Sequence, residues 1–467
     1  MTLIKSISGI RGTIGGKSGE NLTPIEIVKY TSSFATILLK ENPNNANKKV
    51  VIGRDARISG EMISGLVSNT LISLGIDVID LGLSTTPTVE IAVVEETALG
   101  GIILTASHNP KQWNALKLLN SKGEFIDDKV GKNVLELAET NDINFVSYKE
   151  LGKIIKNDNY IDIHINKILE LPFVDAKAIK KAKFKIALDA VNSTGGIAII
   201  PLLKKLGVET IYEINTEPSG NFAHDPEPLP ENLIDISQVV LKNNAHLGFA
   251  VDPDVDRLAI ICENGEMFGE EYTLVAVSDY ILKQKKGNTV SNLSSTKALK
   301  DITEKYECKY NSAAVGEVNV VAKMKETNAI IGGEGNGGII FPELHYGRDA
   351  LVGIALFLSH LANYGKSCSM LRSTYPDYYI SKNKIELNKD IDIDHILEEI
   401  QKRYSNYKIN TIDGVKIEFD NEWVHLRKSN TEPIVRIYSE ADSITTANHL
   451  AKKIMIDIKE IVADRRV

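Results

Sequence analysis

The chain has 467 residues, which is too many for one ordinary hydrophobic core and predicts several domains. Hydrophobic residues make up 43% and charged residues 25%, as in globular proteins, and no apolar run approaches the roughly 20 residues that span a bilayer. A net charge of −8 gives no general attraction for nucleic acid, so neither nucleic acid nor a membrane is an expected partner.

The first residues contain no apolar segment that leads to a cleavage site, so no secretory signal is predicted. The three cysteines, Cys262, Cys308 and Cys368, lie far apart and lack metal-ligand spacing. Such cysteines suit a reducing compartment, and we expect a cytoplasmic location. An anionic substrate remains compatible with the acidic net charge if arginines gather in one cleft, and several arginines lie in or beside candidate loops.

Two parts of the chain repeat the order strand, glycine-containing loop, helix and strand, over residues 49–80 and 185–212. This βαβ order predicts at least two similarly built α/β domains. The apolar strand 247–251 also enters a polar loop and is a candidate start of a third copy. Beyond residue 372 strands and helices no longer alternate regularly, which predicts a smaller α+β domain. The predicted domains are 1–150, 151–253, 254–372 and 373–467.

Two loops in the first predicted domain carry candidate reactive or binding groups. Arg11 lies between two glycines at residues 9–12, where it could hold a phosphate with its planar fork or lie in a solvated turn. The motif Thr-Ala-Ser-His-Asn-Pro at residues 105–110 follows an apolar run and predicts a strand that ends in a loop. That arrangement would bring the hydroxyl of Ser107 to a strand end, although a simple turn or helix cap fits the motif as well.

Residues 252–257 (Asp-Pro-Asp-Val-Asp-Arg) place three carboxylates at alternate positions directly after an apolar strand. If the loop curls, Asp252, Asp254 and Asp256 converge as hard oxygen ligands of the kind that suits Mg²⁺. Calcium sites use similar spacing, but the glycine and glutamate of an EF-hand are missing. A phosphatase with an aspartate nucleophile would also use this arrangement and is an alternative.

Two later loops complete the set of candidates. The glycine-rich residues 332–338 follow a strand and include Glu334 and Asn336, hydrogen-bonding groups suited to a polyhydroxy ligand. The turn at residues 427–436 gathers two arginines, a lysine and three polar side chains, which together favour an oxyanion. A flexible loop and a solvated hairpin are the alternatives.

In this order, the segments 9–12, 105–110, 252–257, 333–338 and 427–436 resemble the α-D-phosphohexomutase family, and the resemblance covers essentially the whole chain. It implies three similar mixed-sheet α/β domains and a smaller α+β C-terminal domain, arranged in a heart shape around a central cleft. It also implies an intramolecular phosphotransferase that interconverts hexose 6-phosphate and hexose 1-phosphate through a phosphoserine and a bisphosphorylated sugar.

The resemblance implies a role for each residue of the motifs. Ser107 would carry the phosphoryl group and, with Asp252, Asp254 and Asp256, would bind Mg²⁺. The implied catalytic residues beside Ser107 are Lys117 (as general acid/base), Arg257, His108 and Arg11. The implied substrate-binding residues are Glu334, Asn336, Arg427, Ser429, Asn430, Thr431 and Arg436.

The family resemblance also implies hexose 1,6-bisphosphate as an activator, a phosphosugar as substrate, and a monomer or homodimer. Many bacterial relatives have Ser and His where this chain has Asn336 and Gly338. The glycine-rich loop 332–338, the expected sugar loop, therefore departs from their pattern. The pattern is closest to phosphoglucosamine-mutase-type members, which favours glucosamine phosphate over glucose or mannose phosphate. A sugar-phosphate phosphatase and a non-catalytic sugar-phosphate-binding protein are the alternatives from other classes.

Overall fold

The computed structural model describes residues 2–6, 9–43, 47–140, 142–386, 392–428 and 434–464. They form four sheets, of which the first three are mixed and the fourth is antiparallel. The predicted class, three mixed-sheet α/β domains and a smaller α+β domain, is confirmed. Among the described residues, no helix is both long and apolar enough to cross a membrane.

Domain I contains a seven-stranded sheet in the order β1-β2-β6-β5-β3-β4-β7. Its strands are β1 (Ile4–Ser6), β2 (Gly9–Thr13), β3 (Lys49–Arg54), β4 (Asp77–Leu83), β5 (Gly100–Leu104), β6 (Trp113–Leu119) and β7 (Ile154–Lys156). Its helices are α1 (Pro24–Glu41), α2 (Gly60–Ile72), α3 (Thr86–Glu95) and α4 (Asp128–Thr140). Strand β3 lies parallel to β4 and β5, while β5 and β6 are antiparallel.

Domain II contains a four-stranded sheet in the order β11-β10-β8-β9. Its helices and strands are α5 (Tyr160–Glu170), α6 (Ala176–Ala182), β8 (Lys185–Asp189), α7 (Gly195–Lys205), β9 (Thr210–Ile214), a 3₁₀ turn (Pro230–Asn232), α8 (Ile234–Asn243), β10 (Leu247–Val251) and β11 (Leu258–Cys262). Strand β8 is parallel to β9 and β10, and β10 is antiparallel to β11.

Domain III has the same strand order, β15-β14-β12-β13. Its elements are α9 (Glu270–Gln284), β12 (Asn288–Asn292), α10 (Ala298–Lys305), β13 (Tyr310–Ala313), α11 (Glu317–Thr327), β14 (Ala329–Glu334), β15 (Gly338–Ile340), α12 (Ala350–Tyr364) and α13 (Cys368–Arg372). The twelve residues 350–361 of α12 are all buried, so the helix lies inside a continuous apolar core shared by domains II and III.

Domain IV is the smaller α+β unit, with the sheet order β16-β20-β19-β18-β17. Its elements are β16 (Tyr379–Glu386), α14 (Ile393–Arg403), β17 (Lys408–Asn410), β18 (Val415–Glu418), β19 (Trp423–Lys428), β20 (Ile434–Ala441) and α15 (Ile444–Asp464). Isoleucines at spacings of four residues, Ile396 and Ile400 on α14 and Ile454 and Ile458 on α15, pack into one apolar cluster with the sheet.

The repeat is threefold, but the third copy does not begin where the sequence predicted. The strand 247–251 is the third strand of domain II, because β10 pairs with β8 and β11, and the third copy begins with β12. The strand pairing also departs from the predicted limits at residues 150 and 253, since β7 joins the first sheet and β11 joins the second.

Candidate active site

Three connections at equivalent positions of the repeat meet in one place. They join β5 to β6, β10 to β11 and β14 to β15, in each case from the third strand to its antiparallel neighbour. Ser107 lies in the first connection, and its Oγ donates a hydrogen bond of 2.8 Å to Oδ2 of Asp252 in the second. The structure therefore brings the predicted serine to the predicted aspartates.

The backbone at Ser107 holds an uncommon conformation. Its φ of 49° lies in the left-handed region, which residues other than glycine seldom adopt. The backbone N–H of Ser107 donates to Oγ1 of Thr105 at 2.9 Å, and that hydroxyl donates to Oδ2 of Asp55 at 2.6 Å. Ser107 is only 7% exposed, so its hydroxyl lies in a site with little access for bulk water.

Arg57, in the connection between β3 and α2, holds the loop that contains Ser107 in place. Its guanidinium donates to the backbone carbonyls of three loop residues and of the first residue of β6, and its Nε pairs with Oδ2 of Asp55 at 3.0 Å. The four acceptors are Ser107 (2.5 Å), Asn109 (2.6 Å), Pro110 (2.7 Å) and Trp113 (2.9 Å). A planar fork with fixed donors can hold four carbonyls at once, which an ammonium group cannot do.

The three aspartates of the β10–β11 connection are fully buried and converge. One carboxylate oxygen of each lies within 4.8 Å of the others. Oδ1 of Asp252 is held by the backbone N–H groups of Asp256 and Arg257 at 3.1 Å each. The loop curls through Val255, whose φ of 62° is rare for a β-branched residue.

These carboxylates fit a cation site. Oδ1 of Asp254 and Oδ1 of Asp256 are buried and have no hydrogen-bond partner among the described residues. Unpaired buried carboxylate oxygens are costly unless a cation satisfies them. Burial and the neighbouring Asp256 and Asp254 raise the pKa of Asp252 well above its ordinary value. Three hard oxygen donors beside the hydroxyl of Ser107 are the donor set of a hard divalent ion.

Lysine and arginine side chains surround the aspartates. Lys117 Nζ lies 2.7 Å from Oδ2 of Asp254 and 3.5 Å from Oδ2 of Asp256. Burial alone would lower the pKa of Lys117, but these two carboxylates raise it above its ordinary value, so the ammonium is charged. Thr86 of α3 also donates to Oδ2 of Asp254, at 2.5 Å, which links domain I to the aspartate loop.

Arg257 and His108 lie at the edge of the same cluster. Arg257 Nη1 pairs with Oε1 of Glu227 at 3.2 Å, while its Nε is 4.0 Å from Oδ1 of Asp256. His108 Nδ1 is 3.4 Å from Oγ of Ser107. Burial and the charge of Arg257 lower the pKa of His108 to about 2, so its imidazole is neutral.

The predicted sugar loop is shorter than the sequence indicated. Glu334 is the last residue of β14 and Gly338 the first of β15, so only residues 335–337 form the turn. The Glu334 carboxylate is 6% exposed and accepts from Asn292 Nδ2 at 3.0 Å and from the backbone N–H of Gly316 at 3.1 Å. Asn336 Oδ1 accepts from the N–H of Gly338 at 3.3 Å, inside the turn.

Arginines of domains I and IV approach one another. Arg427 and Arg436 are cross-strand neighbours on β19 and β20, and Arg427 Nε pairs with Oδ2 of Asp413 at 3.1 Å. Burial, followed by the positive charge of Arg436, lowers the pKa of Arg11 on β2. Two positively charged guanidinium groups that repel each other in this way favour the binding of an anion. The predicted Ser429, Asn430 and Thr431 lie outside the described residues.

Several site residues had no role assigned from the sequence. Arg348 contacts Asp256 and Glu334, Thr86 contacts Asp254, Asn292 contacts Glu334, and Glu227 contacts Arg257. A signal for Thr86 was present, because residues 84–88 (Ser-Thr-Thr-Pro-Thr), four of which carry hydroxyls, follow the strand 77–83. Glu227 and Asn292 follow no comparable pattern.

Models of four domains from one protein family match consecutive parts of the chain. They are described as phosphoglucomutase/phosphomannomutase alpha/beta/alpha domains I, II and III and C-terminal domain, and they match residues 3–144, 162–265, 269–378 and 384–456.

Similar proteins of known name cover nearly the whole chain. A phosphoglucomutase/phosphomannomutase of Thermococcus kodakarensis is 36% identical over 92% of this chain and 94% of its own length. A phosphoglucosamine/phosphogalactosamine mutase of Sulfurisphaera tokodaii is 32% identical over 97% and 98%. The crystal structure of a phosphoglucomutase/phosphomannomutase family protein from Burkholderia thailandensis has a TM-score of 0.82 over 98% of both chains, at 24% identity, and so has the same fold.

Proposed function

The chain belongs to the phosphoglucomutase/phosphomannomutase family, which is the α-D-phosphohexomutase family that its motifs resemble, and we propose that it interconverts hexose 6-phosphate and hexose 1-phosphate. The observation that carries the proposal is the contact of 2.8 Å between Ser107 Oγ and Asp252, with two unpaired carboxylate oxygens beside it. A nucleophilic hydroxyl, a cation site and charged nitrogen donors are the groups that phosphoryl transfer requires.

Ser107 is proposed to carry the phosphoryl group in the resting enzyme. In the forward half-reaction the P–O bond to Ser107 Oγ breaks while a P–O bond to the free hydroxyl of a sugar monophosphate forms. The proton of that hydroxyl passes to a protein base, and a sugar bisphosphate results. The bisphosphate then reorients, and its other phosphoryl group returns to Ser107 while the released sugar oxygen regains a proton. Lys117 is the proposed proton carrier because its Nζ lies among the aspartates next to Ser107. It would accept the proton as a neutral amine, once Asp254 and Asp256 bind the cation in place of its ammonium, and would return that proton to the released sugar oxygen.

Asp252, Asp254 and Asp256, with an oxygen on Ser107, are proposed to hold Mg²⁺, since carboxylate and phosphate oxygens are the ligands this ion prefers. Bound there, Mg²⁺ supplies charge neutralisation for the transferring phosphoryl group. Arg257 would add a guanidinium to the same group if its contact with Glu227 opens. His108, neutral and 3.4 Å from Ser107 Oγ, would orient that oxygen rather than exchange its proton.

The remaining predicted residues are proposed to bind the substrate. Glu334 and Asn336 would accept hydrogen bonds from sugar hydroxyls. The non-reacting phosphate would be held by charged and polar groups of domains I and IV, namely Arg11, Arg427, Ser429, Asn430, Thr431 and Arg436. Because the bisphosphate presents either end to Ser107, this second cradle must accept a phosphate in both orientations of the sugar. Hexose 1,6-bisphosphate would accordingly act as an activator by restoring phosphate to Ser107.

Glucosamine phosphate is the proposed substrate, with glucose and mannose phosphates as the alternatives. The relative from S. tokodaii is named for amino sugars and the one from T. kodakarensis for glucose and mannose, so the names of relatives support both. A panel of 1- and 6-phosphosugars, each assayed with a trace of the matching bisphosphate, separates these sugars by kcat/KM.

The proposed function is tested by removing the Ser107 hydroxyl. We expect the wild type to gain the mass of one phosphoryl group on incubation with hexose 1,6-bisphosphate and to interconvert the phosphosugars. Ser107→Ala should show neither, because no other group is proposed to carry the phosphate. The exposed Ser405→Ala is the matched control and should behave as wild type. Release of inorganic phosphate without isomerised product would contradict the proposal and favour a phosphatase. Isomerisation retained by Ser107→Ala would contradict the role of Ser107 as the phosphate carrier.

A further inference from the structure

Arg348 of domain III lies between the sugar turn (residues 335–337) and the aspartate loop (residues 252–257), and its side chain is buried. Its guanidinium makes an ion pair with each of three carboxylates. Nη1 is 2.9 Å from Glu334 Oε2, Nη2 is 2.8 Å from Asp256 Oδ2, and Nε is 3.0 Å from Glu317 Oε2. Burial alone would lower the pKa of Arg348, but these carboxylates raise it well above its ordinary value, so the charge is permanent.

The contact with Arg348 completes the fixation of the Glu334 carboxylate. Oε1 of Glu334 accepts from Asn292 and from the backbone of Gly316, and Oε2 accepts from Arg348. On the other side, Arg348 holds Oδ2 of Asp256 and leaves Oδ1 of that residue without a hydrogen-bond partner among the described residues. One rigid guanidinium plane therefore fixes the distance between a carboxylate just before the sugar turn and a carboxylate of the aspartate loop.

Gly338 provides the space through which the Arg348 side chain passes. A Cβ at residue 338 would lie 2.4 Å from Cδ and 3.0 Å from Cγ of Arg348. The φ of Gly338 is outside the left-handed region, so any residue could adopt its backbone conformation, and only the available volume requires glycine. Arg348 cannot move aside at little cost, because its guanidinium is held by three ion pairs.

We propose that Arg348 is a positioning residue that sets Glu334, the residue before the sugar turn, against Asp256 of the aspartate loop, and that Gly338 is required for it to do so. The inference rests on the proposed function, in which Glu334 binds sugar hydroxyls. The orientation of Glu334 toward those hydroxyls then depends on residues 338 and 348 together. A side chain at residue 338, such as the histidine of many bacterial relatives, and an arginine at residue 348 compete for the same volume. This chain has the arginine.

The first test replaces Arg348 and measures the changes in KM and in kcat separately. We expect Arg348→Met to raise KM for the preferred phosphosugar and to lower kcat, each about tenfold, because residues that orient a contact group contribute about 10–100-fold to activity. The ratio of kcat/KM between amino and neutral sugars should fall as Glu334 loses its fixed orientation. Arg348→Lys keeps the charge but cannot reach three carboxylates, and it should recover only part of the loss.

The second test uses Gly338 and a double variant. Gly338→Ala should raise KM in the same direction as Arg348→Met, although every charged group is retained. In an Arg348→Ala background, which has no atoms at the Cγ and Cδ positions, the added methyl should cost nothing further, since it acts by displacing those atoms. Gly65→Ala on α2, where a Cβ meets nothing within 4 Å, is the matched control and should keep wild-type kinetics. Additive losses in the double variant, or wild-type KM in Gly338→Ala, would overturn the inference.

The outcomes separate this inference from the proposed function. If the wild type interconverts phosphosugars and both Gly338→Ala and Arg348→Met retain its kinetics, the inference is wrong and the proposed function stands. If the wild type turns over no phosphosugar, the proposed function is wrong, and calorimetric binding of glucose 6-phosphate tests Arg348 independently of turnover. A Kd in Arg348→Met weaker by about tenfold supports the inference, and an unchanged Kd overturns it. Thermal unfolding of each variant verifies that it is folded.

Discussion

Arg57 illustrates how a single buried side chain determines the position of a reactive group that it does not touch. Its guanidinium makes a cation–π contact with the ring of Phe222 of domain II, 5.0 Å from the ring centroid, and donates to the backbone carbonyls of Ser107 and Asn109. The left-handed backbone of Ser107 is uncommon without such support. Arg57 is therefore a positioning residue, and the loop conformation depends on the shape of its fork as much as on its charge.

We expect Arg57→Lys to lower kcat about 100-fold, because a displacement of about 1 Å at a reacting atom has consequences of this size. Lysine preserves the charge beside Asp55 but loses the planar set of donors to the loop carbonyls. Steady-state kinetics measure the loss, and a titration with Mg²⁺ should show a much smaller change in affinity, since three of the four proposed ligands, the aspartates, lie in another loop. Arg403→Lys, a surface substitution in domain IV, is the control. Wild-type kcat in Arg57→Lys would contradict the positioning role.

The strand connections explain which parts of the site could be predicted. Ser107 and the three aspartates follow apolar strands in consecutive residues, so local patterns found them. Arg57 and Arg348 could not be assigned in this way, because their contacts with Ser107 and Asp256 span 50 and 92 residues of sequence. No local pattern encodes contacts of that length.

The placement of the third repeat was wrong for a related reason. An apolar strand followed by a polar loop opens each βαβ unit, and residues 247–251 share this pattern. Their pairing with β8 and β11, which makes them the third strand of domain II, is decided by tertiary contacts. The third strand of each unit, which begins the closing antiparallel hairpin, thus has the same sequence pattern as the first strand. It is these hairpin connections, and not the βα loops, that carry Ser107, the aspartates and the sugar turn.

The aspartate loop predicts a stabilising effect of Mg²⁺. Carboxylates that lie within 4.8 Å of one another in a fully buried site repel, and a bound divalent ion relieves the repulsion. At about 100 times its Kd, Mg²⁺ should add about 2.7 kcal/mol to the free energy of unfolding. Differential scanning calorimetry with Mg²⁺ and with EDTA measures the increment. It should vanish in Asp254→Asn and persist in Asp413→Asn, whereas an equal increment in both variants would argue against this site.

The first three domains meet at a buried cluster of ionisable residues. His345 lies between Glu90 of α3 (Nδ1 to Oε2, 3.2 Å) and Asp349 (Nε2 to Oδ2, 3.3 Å). His164 Nε2 of α5 donates to the same Oδ2 of Asp349 at 2.9 Å, and its other ring nitrogen contacts Thr88. Burial alone would lower the pKa of His345, but Asp349 and Glu90 raise it to about 10. At neutral pH an imidazolium of domain III therefore contacts carboxyl groups where three domains meet.

This junction predicts that the protein loses stability as pH rises above neutrality. His345 has a raised pKa in the folded state, so its contribution is complete below pH 6.5 and is lost toward pH 10. Burial raises the pKa of Glu90 to about 8, so the folded state also favours its proton, and this contribution is lost between pH 4.5 and 8. The two effects have the same sign and overlap between pH 6.5 and 8.

Thermal unfolding midpoints measured from pH 6 to 10 should fall over this range in the wild type, most steeply from about pH 6.5 to 8, where the folded state still binds both protons and the unfolded state has released both. His345→Gln should be less stable at pH 6.5 and should show a flatter profile, because the imidazolium that links Glu90 to Asp349 is gone. His449→Gln, on the exposed face of α15, should reproduce the wild-type profile. If His345→Gln has the same slope with pH as the wild type, the junction does not control stability, and the domains are held together by the shared apolar core alone.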